Sequence, residues 1–370
     1  MRKKLIVFIT LLGCIFPLSG CWDQQLVDQT GFPLQLGVEL SPEGKLLLTS
    51  SYPAIEAKEK NRDEIVSAEA DLLREARNQC ETASSKAISF GKIQQLLFSK
   101  DLAAHGIQEV MEVLERDPLN PPTAYVVIVD GSPKELLERA ETFTSKPRPS
   151  VYIKQLLENN INSAYTPDTK IGDFFIRYFA PGLDPITPLV KLEADGIRVL
   201  GSALFVGDKM VGALDPQQTA LLLAMMGQFK NTELFFDPFT PEKTGAIKKG
   251  LSLTNVRNRR KIRVTMENNC PVVDLALTFS ASLVEYHRNS LEQPSVQKQI
   301  EAKLAGQIKE ACREIVRYTQ EIGSDPMGIG DLVRAKYPEY WRQVDWNAAY
   351  KEAVINLNVK VDLLQYGAIR

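Results

Sequence analysis

Two stretches near the end of this chain alternate apolar and polar residues with a period of two, and they enclose a run with the period of a helix. Val273, Leu275, Leu277, Phe279, Ala281 and Leu283 form the first set, and Ile355, Leu357, Val359, Val361 and Leu363 the second. Alternate residues of a strand share a face, so each stretch predicts a strand with one buried side. Between them Val296, Ile300, Leu304, Ile308, Ala311, Ile315 and Tyr318 recur mostly every four residues, which places them on one stripe of a long helix. The helix hides its stripe and the strands hide their apolar side if the one lies across the other. The C-terminal half is therefore expected to be a mostly antiparallel sheet covered on one face by a long helix, with the other face open or carrying a partner.

That half starts with a hairpin signal: Ile197–Val206, then Gly207-Asp208, then Lys209–Ala213. Asp215-Pro216 follows as N-cap and first helical residue, launching Leu221, Leu222, Leu223, Met225 and Met226 as a buried helix whose methionines are core filler. The N-terminal half reads differently. Phe32–Leu40 and Lys45–Tyr52 predict two strands around Pro42-Glu43-Gly44. Ile65, Ala68, Leu72, Ala76 and Cys80 predict a helix over 64–82. A strand at 93–98, a helix at 102–115, a strand at 124–129 and helices at 151–159 and 171–179 continue an alternation of strand and helix, which favours a sheet that is at least partly parallel. The expected fold class is a mixed α/β domain over 21–195 followed by an α+β domain over 196–370, with 1–20 set apart as a leader.

The leader is set apart by its own chemistry. Arg2, Lys3 and Lys4 precede an apolar stretch from Leu5 to Phe16, too short for a bilayer of roughly 30 Å, which is the pattern of an export signal. It ends Leu18-Ser19-Gly20-Cys21, which resembles the lipobox of bacterial lipoprotein precursors. That resemblance implies cleavage between Gly20 and Cys21, diacylglycerol on the Cys21 sulfur, and an N-palmitoyl chain on the new amino group. Two or three acyl chains hold a protein stably at a membrane, at about 0.8 kcal/mol per buried methylene. Loss of the leader takes the formal charge from −2 to −5.

The balance of 44 basic and 46 acidic residues gives no global field to draw the chain onto nucleic acid. Two histidines, His105 and His287, and five cysteines leave little for a histidine-based active site or metal cluster. No HExxH, nucleophile elbow, paired CxxC or phosphate loop is present, and Glu56 and Glu59 are not placed across any cleft by the sequence. The expectation is no enzyme, no catalytic residue, no metal and no cofactor. Cys80, Cys270 and Cys312 read as small core residues, and Trp341 and Trp346 as core tryptophans. One charged cluster stands out. Arg257, Arg259, Lys261 and Arg263 fall on one face of a strand and form a basic stripe, a solvated face or a contact for anionic lipid, cell-wall polymer or an acidic subunit.

Taken in order, further short motifs carry a family resemblance. Cys21-Trp22-Asp23, Gly31-Phe32 and Arg116-Asp117-Pro118 before Thr123-Ala124-Tyr125-Val126-Val127 come first. Gly201-Ser202-Ala203-Leu204-Phe205 and Asp208-Lys209-Met210-Val211-Gly212 follow, then Gln320, Asp325-Pro326-Met327-Gly328-Ile329-Gly330, Tyr337-Pro338, Trp341, Asp345-Trp346 and Gly367. Over essentially its whole length the chain resembles the Ger(x)C spore germination lipoproteins, departing from them at Gln217 or Gln218 and at His105. The resemblance implies a non-catalytic C subunit of a nutrient germinant receptor. Such a subunit is lipid-anchored on the outer face of the inner spore membrane and assembled with integral-membrane A and B subunits, with the basic stripe as a contact surface. The alternative is a lipid-anchored solute-binding protein, which needs a deep cleft between two similar lobes.

Overall fold

The computed structural model describes Arg2 and residues 30–54, 63–117, 120–230, 232–236, 250–285 and 293–366. The readings at Gly20, Cys21, Trp22, Asp23, Glu56, Glu59, Pro118, His287 and Gly367 lie outside the described residues. In chain order the first elements are β1 (Thr30–Gly31), β2 (Gln35–Leu40), β3 (Leu46–Pro53), β4 (Asp63–Ala70), α1 (Leu73–Ala83), β5 (Ala87–Ile88) and β6 (Gln95–Ser99). Next come α2 (Lys100–His105), α3 (Gln108–Arg116), β7 (Tyr125–Val129), α4 (Pro133–Ala140), α5 (Pro149–Asn162), α6 (Ile171–Phe179), β8 (Ile186–Glu193), β9 (Gly196–Val206) and β10 (Lys209–Leu214).

These build an eight-stranded sheet in the order β10-β9-β8-β7-β6-β2-β3-β4. Its centre is parallel, β2 to β6 to β7 to β8, and both margins are antiparallel. Helices cover both faces, so the central strands are apolar on both sides. Val126 and Ile128 join the cluster under α1, α2, α3 and α6, while Val127 and Val129 join the one under α4 and α5.

The helix expected over 64–82 is corrected: residues 63–70 are the edge strand β4, and the helix starts only at Leu73. Ile65, Ala68 and Leu72 fit a helical spacing, but the unpaired edge of β3 takes up 63–70 in eight residue pairs, and Leu72 is left 67% exposed. Local periodicity yields here to hydrogen bonds across the sheet. The helix expected over 102–115 is two helices, broken at Gly106 with φ of 127°. A Cβ there would lie 2.5 Å from Asp208 Oδ2, and that carboxylate accepts from the amide of Gln108 at 3.1 Å, tying the β9–β10 turn to the start of α3. β9 and β10 form the expected hairpin, but β9 also pairs with β8, so both strands belong to the first sheet, sheet membership changes only after Leu214, and the expected division at 195/196 falls at the turn between two paired strands.

The rest of the chain comprises α7 (Pro216–Met226), β11 (Thr232–Phe236), β12 (Leu251–Glu267), β13 (Cys270–Glu285), α8 (Pro294–Ile322), α9 (Ile329–Lys336), α10 (Pro338–Trp341), α11 (Trp346–Glu352) and β14 (Val354–Tyr366). As expected, Asp215 caps α7: its side chain accepts from the Gln218 amide at 2.8 Å while Gln218 accepts from the Asp215 amide at 3.1 Å. Every residue of α7 from Thr219 to Met226 is buried, which fits a helix apolar on all sides. The second sheet runs β11-β12-β13-β14. β12 and β13 pair antiparallel around Asn268-Asn269, whose positive φ values of 48° and 61° suit a two-residue hairpin turn. β14 returns parallel to β13 after the crossover through α8. Ile300, Leu304, Ile308, Cys312 and Ile315 of α8 pack on Val273, Leu275, Leu277, Phe279 and Leu283, as the two periodicities require.

Two glycine substitutions test this account. Gly106→Ala should destabilise the chain by about 1–3 kcal/mol through backbone strain and the clash with Asp208. Gly306→Ala, on α8 with open space around its Cβ position, should stabilise by about 0.5–1 kcal/mol. Urea unfolding followed by circular dichroism gives both values, and equal effects would refute the assignment.

Candidate functional site: an open sheet face and the junction behind it

On the side of the second sheet turned away from α8, β12, β13 and β14 carry exposed and half-buried residues. The sequence-predicted stripe lies on it: Arg257, Arg259, Lys261 and Arg263 of β12 are all exposed. The strands beside it place Ser280, Thr278, Ala276 and Asp274 of β13 opposite the four in register, and then Asp362, Lys360, Asn358 and Asn356 of β14. None of the four cations forms an ion pair among the described residues, whereas Lys360 pairs with Asp362 at 2.6 Å.

Between the stripe residues, alternation sends Asn258 and Arg260 to the inner face. Asn258 Nδ2 donates to the carbonyl of Ala224 at 2.9 Å and Arg260 Nη1 to that of Met226 at 2.9 Å. A cation at the end of α7 meets the carbonyl of its last residue, where the helix has no further amide to offer. Desolvation pushes the Arg260 guanidinium pKa below its usual value. The sequence shows five basic residues in seven; only the position of α7 separates Arg260 from its neighbours.

Behind the sheet, the two halves join through a pair of aspartates, the buried Asp325 and the half-buried Asp184. The Asp325 amide donates to Asp184 Oδ2 at 2.7 Å, and the Asp184 amide donates to the Asp325 carbonyl at 3.0 Å. Asp184 Oδ1 accepts from the Gly207 amide at 3.0 Å. Asp325 Oδ1 accepts from Ile329 N at 3.1 Å, and its Oδ2 from Gly330 N at 2.7 Å and Trp346 Nε1 at 3.1 Å. Arg177 Nη1 spans the junction, donating to the carbonyls of Asp184 and Pro326 at 3.1 Å each. The sequence reading of Asp325–Gly330 as a turn that starts a helix agrees with α9, whereas Asp184 and Arg177 carry no local signal in the sequence. Burial pushes the Asp325 carboxyl up to about 7, against the pull of its N–H donors and with a further push from Asp184.

The other singled-out residues have structural places. His105 is exposed, its Nδ1 2.8 Å from the Asp101 carbonyl. Cys80 and Cys312 are buried free thiols, while Cys270 is only half-buried, because it sits at the mouth of the β12–β13 turn. Trp346 is buried and Trp341 half-buried, their rings 5.5 Å apart at the junction. A cleft of about 610 Å³ opens within the N-terminal half where the β2–β3 turn meets α2 and α3, with Lys45, Asp71, Leu72, His105 and Lys209 around it. No helix among the described residues is long and apolar enough to cross a membrane.

Against this geometry, residues 23–192 match the family described as "Spore germination protein N-terminal domain", and residues 200–367 match "Spore germination B3/ GerAC like, C-terminal". The chain belongs to the GerAC-like family of spore germination proteins. This is the family that the ordered motifs resemble. Among curated relatives, "Spore germination protein GerQC" of Bacillus cereus is 23% identical over 99% of both chains. "Spore germination protein B3" of Bacillus subtilis (strain 168) is 21% identical over 99% of this chain and 98% of its own. A solved structure described as "Crystal Structure of the GerBC protein" aligns with a TM-score of 0.58 and 17% identity, covering 89% of this chain and 96% of that one, and so shares the fold.

Within this GerAC-like fold the Asp325 carboxyl makes a pH prediction. An unfolded aspartate titrates near 4 and the folded one near 7, so its contribution to stability is fully present below about pH 4 and is lost as pH rises through about 7. The melting temperature of the unaltered chain should therefore fall, relative to Asp325→Asn, between about pH 4 and 7, and level off above that. A difference between the two that is flat over that range would refute the assignment.

Proposed function

We propose that this GerAC-like protein is the non-catalytic C subunit of a nutrient germinant receptor. In this reading acyl chains on Cys21 hold it on the outer face of the inner spore membrane, where it assembles with integral-membrane A and B subunits. The observation that carries the reading is the match of both halves, in order and nearly end to end, to a spore germination family. The residues before Cys21 supply the export and lipidation signal.

The physics of the arrangement is that of a tethered partner. An acylated chain meets membrane-embedded subunits at high effective concentration, so modest interfaces suffice for assembly. Arg257, Arg259, Lys261 and Arg263 form a contact surface of the tethered chain in this reading. The solute-binding alternative has less support. Its cleft should lie between two similar lobes, whereas the halves here are an eight-stranded mixed sheet and a four-stranded sheet under one long helix.

The test is membrane fractionation of the intact chain beside Cys21→Ala, with mass spectrometry of the mature N-terminus. The expected result is a diacylglyceryl, N-acylated Cys21, loss of the alanine variant from the membrane, and recovery of two integral-membrane partners with the tagged intact chain. An unmodified Cys21, or an anchored chain that brings down no membrane partner, would overturn it.

A further inference from the structure

The open face of the second sheet has an unusual composition for a protein interface. Such interfaces place aromatic or large aliphatic anchors at their centre, where water is excluded. Here the rows between the strands hold Ser280, Thr278, Ala276, Asn358 and Asn356. Nothing at the centre could serve as an anchor for a protein partner.

What the face does carry is charge on a flat support. Arg257, Arg259, Lys261 and Arg263 stand at every second residue, about 7 Å apart along a line of about 20 Å. All four are exposed and unpaired among the described residues. Carboxylates exist on the same sheet, Glu233, Glu267, Asp274 and Asp362, but none lies within ion-pair distance of the four, and Asp362 is taken by Lys360. Long cationic side chains that no carboxylate holds in place suit a surface whose negative charges are themselves mobile. At the far end of β13 and β14, Val284 and Leu364 are exposed, 57% and 63%. A cationic field with an apolar margin matches the headgroup region and the acyl boundary just beneath it.

We infer that this face docks on a lipid surface bearing negative headgroup charge, with the side chains of Arg257, Arg259, Lys261 and Arg263 among the headgroups. The inference rests on the membrane-anchored reading above and names what its contact surface meets. The acyl chains on Cys21 hold the chain at the bilayer in that reading, and the stripe sets which way the body faces. The face then acts by counter-charge and not by side-chain fit, so the docking is sensitive to salt and tolerant of lipid species.

The experiment needs neither acylation nor partner subunits. The chain from Trp22 onward keeps every strand and helix from Thr30, and hence all three core clusters. It is sedimented with phosphatidylcholine vesicles, with or without one third phosphatidylglycerol, at low and high salt. Binding is expected only to the anionic vesicles, with loss at high salt. Arg259→Gln with Lys261→Gln should lower partitioning about 30-fold, since each cation at an anionic surface contributes about fivefold. Lys298→Gln with Arg313→Gln, on α8 across the sheet, makes the same change in net charge and should leave partitioning within about twofold. Circular dichroism melts confirm that both variants fold.

Equal binding to both vesicle types, an unaffected stripe variant, or an equal loss in the α8 variant would each overturn the inference. A stripe variant that binds vesicles normally but no longer recovers integral-membrane partners would assign the face to a protein instead. Failure to recover any partner with the unaltered chain would count against the receptor reading and leave the vesicle result standing.

Discussion

The reciprocal bonding of Asp184 and Asp325 is the contact on which the placement of the two halves depends. Each residue's amide donates to the other residue, and the Asp325 carboxylate then gathers the first amides of α9 and the indole of Trp346. A polar group buried as deeply as Asp325 costs several kcal/mol if left unpaired, so the loop before β8 and the loop after α8 are held in a single register. Gly330 shows how close the approach is: a Cβ there would lie 2.4 Å from Trp346 Nε1 and 2.6 Å from Gly182 Cα. Two backbones and a tryptophan share a space that leaves no room for a methyl group.

From that junction the two sides of the second sheet acquire different roles. The inner side is closed by α8 and α7, and its polar residues are spent on structure, with Asn258 and Arg260 satisfying the last carbonyls of α7. The outer side meets no element of the same chain among the described residues. A sheet half-buried in order to fold leaves its other face open, and here that face carries cations at alternate positions.

Much of this was legible in the chain. The long helix and its flanking strands, the cap at Asp215, the Gly207-Asp208 hairpin, the stripe on one strand face and the family itself all follow from spacing within about 20 residues or from motifs in order. What escaped was every feature set by a partner distant in sequence. Residues 63–70 became a strand because β3 offered an open edge. Gly106 broke a helix because Asp208, 102 residues further on, occupies the space a side chain would need. Asp184 and Arg177 look like ordinary surface charges until residues about 140 positions later are packed against them.

The sequence by itself determined which segments carry an apolar face and with what period, because side-chain hydrophobicity and backbone geometry are properties of a short stretch of chain. The tertiary structure alone decided which sheet each strand joins, that β9 and β10 close the first sheet although they lead into the second half, and which of five neighbouring basic residues turns inward. Those outcomes depend on hydrogen-bond donors and acceptors that meet only when the whole chain has folded, and no local pattern records where the distant partner will be.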